Sequence, residues 1–315
     1  MPDETMKALL YDRYGEPEVL HTADCPMPEP GPHDVTVRVL AATVGIGDCK
    51  ARAGLLRPFF SLKLPKIPGR YGVGEVAAVG AAVTAPKVGD AVVLATPHTG
   101  GGSSAEYVRV SAASTAPAPR TVSDVETASL IQGAVCAYVC LVEAGALAAG
   151  HNLLVHGAAG AVGSACVELA HHLGAVVTGC CRETDREHVR ALGADHVVAF
   201  DREDFAARVR DQDVVVDLVG GEVHRRSYGV LRRGGRLVYL HAAPIEEKGG
   251  EHGVVVINAV IDDRGAILDA VCRLAERGAF APRLAKLLPL AEGALAHRLV
   301  ESGAVRHGRV VLRVA

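Results

Sequence analysis

The sequence predicts an α/β protein: a doubly wound, six-stranded parallel sheet preceded by a smaller, mainly antiparallel β domain. Three observations carry this. From about residue 124, six apolar runs alternate with segments of helical period. The first of those runs opens into a glycine-rich turn at Gly157, Gly160 and Gly163. The first 120 residues have a different grammar, rich in Pro, Gly and short alternating stretches.

Within the early part, Val35, Val37 and Val39 alternate with Thr36 and Arg38, the period of a half-buried strand. Pro and Gly at 28–32 and Lys87-Val88-Gly89-Asp90 are turn-rich breaks. Further strands are expected at Gly74–Val79, Ala91–Leu94 and Ala105–Val110. Ser123 or Asp124 is placed to cap a helix through Val125–Leu130. The apolar runs that follow are Leu153–His156, Val176–Cys180, His196–Phe200, Asp213–Leu218, Arg236–Leu240 and Val254–Asn258. Near-continuous apolar strands of this kind belong to a parallel sheet covered on both faces. Between the first two, Val162, Cys166, Leu169 and Leu173 step along one helical stripe. A helix at Ala266–Arg277 and a strand at Gly308–Val314 close the chain. The expected division is 1–122, 123–260 and a return to the first domain over 261–315.

Net charge is −3, from 33 basic and 36 acidic residues scattered along the chain, which gives no electrostatic footprint for nucleic acid or an anionic membrane. No uninterrupted apolar run reaches the roughly 18 residues of a bilayer span. The N-terminus is polar and acidic, unlike a secretory signal, so a cytoplasmic protein is expected. The eight cysteines lack paired CxxC spacing and read as buried thiols. Cys136 and Cys140 could share a helical face and hold a metal, but no second ligand pair lies near them in sequence. His171, His172, His297 and His307 read as surface residues.

The central motif is His151-Asn-Leu-Leu-Val-His-Gly157-Ala-Ala-Gly160-Ala-Val-Gly163, a strand running into a glycine turn with a helix starting inside it. The first glycine permits the turn, the second lets backbone approach a pyrophosphate, and the third lets helix and strand pack closely. A helix N-terminus then offers unpaired N–H groups and partial positive charge. Gly157, Ala158, Ala159, Gly160, Ala161 and Val162 are therefore candidate cofactor contacts in a Rossmann domain. The bland alternative, glycines serving only a turn, is weakened by the motif's position at the first of six β/α units.

Sites that prefer NADH place a carboxylate at the end of the second strand, on the ribose hydroxyls. Here that strand ends Cys180-Cys181-Arg182, with no acid at its tip. A guanidinium can pair with the 2′-phosphate of NADPH, which makes Arg182 the first candidate and Arg186 the second. The alternative is that both arginines are solvated surface charges.

Nearly the whole chain resembles the medium-chain dehydrogenase/reductase superfamily, most closely its zinc-free quinone oxidoreductase and enoyl reductase branch. The matching stretches include Ile67-Pro-Gly69, Val76-Ala-Ala-Val-Gly80, Lys87-Val-Gly-Asp90, the glycine turn, Leu192-Gly-Ala-Asp195, Asp213-Val-Val-Val-Asp-Leu-Val-Gly220 and Arg309-Val-Val-Leu. The resemblance implies a GroES-like catalytic domain, an inserted Rossmann domain, and a cleft for nicotinamide and substrate. It implies cofactor contacts from Val219, Gly220, Leu240, His241 and Ala242, an aromatic at Phe200 beside the adenosine end, and further contacts from Cys136, where a Thr is frequent, and Arg309. It also implies a homodimer paired through Val254–Asn258. Zinc-dependent relatives carry a Cys where this chain has Gly45 and a His-Glu pair where it has Arg70-Tyr71, so no metal is expected.

The early loop reads Gly45-Ile46-Gly47-Asp48 where quinone reductase relatives read Asn-Pro-x-Asp. The cofactor frame is thus kept while the substrate pocket is altered. Tyr71, Arg70, His241 and His98 are candidates for polarising a substrate, against bland readings as packing, ion-pair or loop residues. Asp48 keeps its family position and is suited to holding its loop through backbone N–H bonds. Three functions follow: NADPH-dependent reduction of an apolar enone or quinone, a non-redox reaction on the same scaffold, or an NADPH-sensing module. The stretch Leu55-Leu56-Arg57-Pro58-Phe59-Phe60 could line the pocket or belong to a core.

Overall fold

A computed structural model describes residues 5–240, 243–261 and 264–315. In chain order the first segment holds β1 (Thr5–Leu10), β2 (His21–Pro26), β3 (Asp34–Val44), α1 (Ile46–Arg52), β4 (Tyr71–Val79), β5 (Ala91–Ala95), β6 (Tyr107–Ser111), β7 (Thr115–Pro117) and α2 (Asp124–Tyr138). The second holds β8 (Asn152–His156), α3 (Ala161–His172), β9 (Val176–Cys181), α4 (Arg186–Ala191), β10 (His196–Ala199), α5 (Phe205–Arg208), β11 (Gln212–Asp217), α6 (Glu222–Ser227), β12 (Leu231–Tyr239), α7 (Gly249–His252) and β13 (Val255–Asn258). The chain ends with α8 (Gly265–Glu276), β14 (Leu284–Pro289), α9 (Gly293–Glu301) and β15 (Arg309–Arg313). It divides into two compact units: Met1–Gln132 with Asp263–Gly278 and Pro282–Ala315, and Gly133–Asp262 with Ala279–Ala281.

The second unit is the expected parallel sheet, in the order β10-β9-β8-β11-β12-β13. Every pairing in it is parallel. Leu153, Leu154 and Val155 in β8 and Val214, Val215 and Val216 in β11 are at most 1% exposed, because both faces of these central strands are covered. Strand order reverses between β8 and β11. The carboxyl ends of those two strands form the switch point at which such sheets bind ligands.

The first unit is built on a seven-stranded sheet, β14-β15-β3-β4-β5-β7, with β6 also pairing β3; β1 and β2 form a separate antiparallel ribbon. All its pairings are antiparallel except β14 with β15. The alternation at Val35, Val37 and Val39 places all three side chains in the core, fully buried. The strand runs on to Val44, beyond the predicted stretch, because Ala41, Ala42 and Thr43 are buried as well.

Two expectations are corrected here. The helix expected at Val125–Leu130 continues through Tyr138 and a π turn, Val139–Ala144. That 21-residue stretch is long and apolar enough to cross a bilayer, but 72% of its apolar window is buried inside the protein, which makes it a core helix. His297 is not a surface residue. It is 1% exposed on α9, whereas His171, His172 and His307 are exposed.

Candidate functional site

The glycine turn follows β8 directly. Gly157 has φ +77°, the left-handed region in which glycine is favoured. Gly160 is exposed, with extended backbone at the N-cap of α3. A Cβ at Gly163 would stand 2.1 Å from the Gly157 carbonyl oxygen, so only glycine lets α3 approach the turn this closely. The first N–H groups of α3 have no acceptor within the helix.

Beside the turn lies a cavity of about 590 Å³, lined by His156, Gly157, Phe200, Phe205, Val219 and Arg226, among others. This volume lies within the range of small-molecule and cofactor sites. Arg182 is exposed just past the end of β9, its guanidinium 5.5 Å from the Phe200 ring centroid. Phe200 itself is 52% exposed. Arg186 is differently occupied. It is bonded to Glu183 at 2.8–3.0 Å, to Glu203 at 2.5 Å and to the Val197 carbonyl at 2.9 Å. Arg226, which sequence reasoning missed, pairs with Asp204 and lies 5.0 Å over Phe205. It lies on α6, far along the chain from the glycine turn, so nothing in the linear sequence marks it; the sheet order brings it to the cavity.

At the end of β11 the buried Asp217 organises the adjoining turn. Its Oδ1 accepts from Val219 N and Gly220 N, each at 2.9 Å. Its Oδ2 lies 2.8 Å from His224 Nδ1. His224 Nε2 in turn lies 3.3 Å from the Tyr228 hydroxyl, which donates to the Glu246 carbonyl and accepts from Lys248 N, both at 3.0 Å. Beside this chain, His156 Nε2 is 3.0 Å from Ser227 Oγ, and burial holds the His156 ring below its usual pKa. Gly221 N also bonds the Pro244 carbonyl at 2.7 Å, so the turn after β11 is clasped to the 243–249 loop directly as well. Leu240 is buried and its N–H bonds the Asp217 carbonyl at 3.2 Å. His241 and Ala242 lie outside the described residues.

Cys136 is buried on α2 beside Cys140 and Cys166. A hydrogen bond with Cys140, burial and the neighbouring thiols push the Cys166 thiol well above its usual pKa, which disfavours thiolate chemistry there. Among the described residues no group of three or more His, Cys, Asp or Glu side chains could hold a metal ion. Arg309 starts β15 in the first unit, with its guanidinium 3.5 Å from Gln132 Oε1.

In the first unit, α1 carries Asp48 into the interior. Its Oδ2 accepts from Gly45 N at 2.9 Å and its Oδ1 from Gly69 N at 3.3 Å. Burial raises its carboxyl pKa, while those two bonds and the charges of Arg70 and Lys66 oppose the rise. Asp48, Arg70 and His98 meet at a small cavity with Tyr11, Lys66 and Thr96. His98 stacks on Phe60 at 5.3 Å between centroids. Tyr71 is instead buried at the start of β4, 1% exposed, with the Arg70 guanidinium 5.9 Å from its ring centroid. Leu55 and Phe59 are exposed, at 64% and 79%, so that stretch is not core.

Lys66 was missed by sequence reasoning. It is 8% exposed, and its Nζ donates to the Gly100 carbonyl. Burial pushes its pKa down to about 8, with Asp48 opposing. The only hint in the sequence is a lone cation inside Leu64-Pro65-Lys66-Ile67-Pro68.

Comparison with known proteins adds the following. Residues 31–120 match the alcohol dehydrogenase GroES-like domain family, and residues 192–312 the family described as zinc-binding dehydrogenase. The chain is 30% identical to a 2-haloacrylate reductase from Burkholderia sp over 98% of both chains. It is 34% identical to a chloroplast envelope quinone oxidoreductase homolog from Arabidopsis thaliana over 66% of this chain; the match spans 65% of that relative's length. The quinone oxidoreductase structure from Coxiella burnetii superposes with a TM-score of 0.84 at 28% identity, covering 99% of this chain and 100% of that one.

Proposed function

Because the chain belongs to the medium-chain dehydrogenase/reductase superfamily, in its quinone oxidoreductase branch, we propose that it is an NADPH-dependent, zinc-independent reductase of apolar enones or quinones. The observation that carries the cofactor half is the bare glycine turn at the sheet's switch point, opening onto a cavity of about 590 Å³. Bound NADPH supplies the hydride. Gly157, Ala158, Ala159, Gly160, Ala161 and Val162 would hold its pyrophosphate with backbone N–H groups, and the cavity around Phe200 and Val219 would take its adenosine end. Arg182 is the reader of the 2′-phosphate, since Arg186 already engages two carboxylates.

Gly45, Arg70 and Tyr71 at the zinc-ligand positions of relatives support metal-free chemistry, because glycine and arginine cannot stand in for thiolate and imidazole. Relatives that reduce 2-haloacrylate or quinones support a conjugated carbonyl as substrate. The reading includes a homodimer paired through β13, an edge strand whose Val255 is 49% exposed. It also includes a cytoplasmic location, consistent with eight cysteines all present as free thiols.

The test is calorimetric. Arg182→Ala should raise the Kd for NADPH at least tenfold, about 1.4 kcal/mol, and leave NADH unchanged, because a charge-assisted pair to phosphate is lost in one case only. Equal affinities for both cofactors, untouched by the substitution, would refute the assignment. Wild-type protein should also consume NADPH with a panel of enones and quinones. A rearranged or eliminated product with no net NADPH consumption would favour the non-redox alternative that the altered Gly45-Ile46-Gly47 loop motivates.

A further inference from the structure

The cavity beside the glycine turn is walled by Phe200, Phe205, Val219 and Val223, and one buried imidazole, that of His156, belongs to its lining. We propose that His156 Nδ1 accepts a hydrogen bond from the 6-amino group of the cofactor's adenine, and so selects adenine over bases that lack that donor. This rests on the reading of the cavity as the adenosine end of a dinucleotide site.

The neighbours of His156 fix its tautomer. Ser227 Oγ has one proton and donates it to the Val223 carbonyl at 2.7 Å. The same oxygen lies 3.0 Å from His156 Nε2, so it accepts there and Nε2 carries the hydrogen. Burial holds the ring below its usual pKa, with His224 reinforcing and Asp217 opposing, so the imidazole is neutral at pH 7. A neutral ring with its hydrogen on Nε2 has a bare lone pair at Nδ1, an acceptor and nothing else. The Phe205 ring stands edge-on against the imidazole, 4.6 Å between centroids. Turning the imidazole over to present a donor would break the Ser227 bond.

No hydrogen bond to His156 Nδ1 occurs among the described residues. The residue is 2% exposed and still lines the cavity, so a ligand filling that space is the partner within reach. Apolar and aromatic walls suit a planar base better than a hydroxyl-rich ribose. Adenine joined to ribose has one donor group, the 6-amino group; its free ring nitrogens are acceptors. A lone pair on the wall therefore has one possible match on the base. The carboxylates of the same lining are engaged elsewhere. Asp201 accepts from Glu183 N at 2.8 Å, Glu203 pairs with Arg186 and Arg208, and Asp204 holds Ala206 N and Arg226.

The probe is reduced nicotinamide hypoxanthine dinucleotide phosphate, which carries a carbonyl oxygen where NADPH carries the amino group. Calorimetry on the full chain gives Kd for both dinucleotides. Wild type should bind NADPH about tenfold tighter or more, because the analogue sets an oxygen lone pair against the buried lone pair of Nδ1. His156→Gln keeps an amide N–H for Ser227 and leaves nothing in place of Nδ1. It should melt close to wild type, weaken NADPH about tenfold and bind the two dinucleotides within about twofold of each other. His156→Asn places an amide oxygen near the Nδ1 position and should retain the preference for NADPH. Wild type that binds both dinucleotides alike overturns the inference and leaves the cofactor reading standing, as does a His156→Gln protein that keeps the full preference. Wild type that binds neither dinucleotide sinks the cofactor reading, and the role of His156 with it.

Discussion

The two units present candidate sites made from different parts of the chain. The parallel-sheet unit offers backbone: a left-handed glycine, a helix start, and two N–H groups gathered by Asp217. The first unit offers side chains, with Asp48, Lys66, Arg70 and His98 drawn around a small cavity. Backbone devices tolerate almost no substitution at their glycines and almost any around them. A side-chain pocket is the reverse: its scaffold is generic and its few lining residues can be exchanged to change substrate. That contrast accounts for one sequence combining an ordinary glycine turn with an early loop that departs from its relatives.

The sharpest way to break the contrast is at Gly163. A Cβ there meets the Gly157 carbonyl at 2.1 Å and Ala158 Cα at 2.8 Å, both backbone, which cannot swing aside. Gly163→Val should destabilise the parallel-sheet unit by about 4 kcal/mol and abolish NADPH binding. Denaturant unfolding and calorimetry read the two effects. A variant with wild-type stability and affinity would mean that the turn is not built as described.

How much could be read in advance follows the same division. All six strands of the parallel sheet were legible, because strands covered on both faces are written as uninterrupted apolar runs, as in Leu153-Leu154-Val155. The glycine turn was legible because its geometry admits one residue type. The helix through Tyr138 was read short: Ile131, Ala134, Val135 and Ala137 are buried with no polar face between them, so no period marks its continuation. Arg226 left no mark in the sequence and Lys66 only that of a lone cation, since each gains its surroundings from residues distant in sequence. His297 was misread because a histidine on an amphipathic helix looks alike whether its side turns in or out.

His297 offers the next test, and again it separates the units. Burial and the nearby Arg52 push its pKa down to about 3 from the usual 6.5. Its Nδ1 meets no hydrogen-bond partner among the described residues, whereas His156 in the other unit has Ser227. The folded ring stays neutral while the unfolded ring takes a proton below about pH 6.5. Stability is therefore present above that pH and is lost as pH falls toward 3. Between pH 7 and pH 4 the loss from this group is about 3 kcal/mol. His297→Leu should remove that share of the acid sensitivity of the first unit, measured by urea unfolding at both pH values. Parallel losses in wild type and variant would assign the acid lability elsewhere.

The smallest effect probes whether backbone devices depend on side chains after all. The Tyr228 hydroxyl joins the Asp217–His224 pair to the Glu246 carbonyl and the Lys248 N–H, both in the loop that follows β12. Tyr228→Phe removes that link and keeps the ring, which still stacks on His252. Because water can reach the exposed Glu246, the loss of stability should be about 1 kcal/mol. If the turn at Val219 and Gly220 is set through this chain, the Kd for NADPH should rise about fivefold, the same free energy seen as affinity. If Asp217 alone sets it, through its two backbone bonds, stability should fall and affinity stay put. The ratio of the two losses therefore measures how far a cofactor site made of N–H groups rests on one hydroxyl behind it.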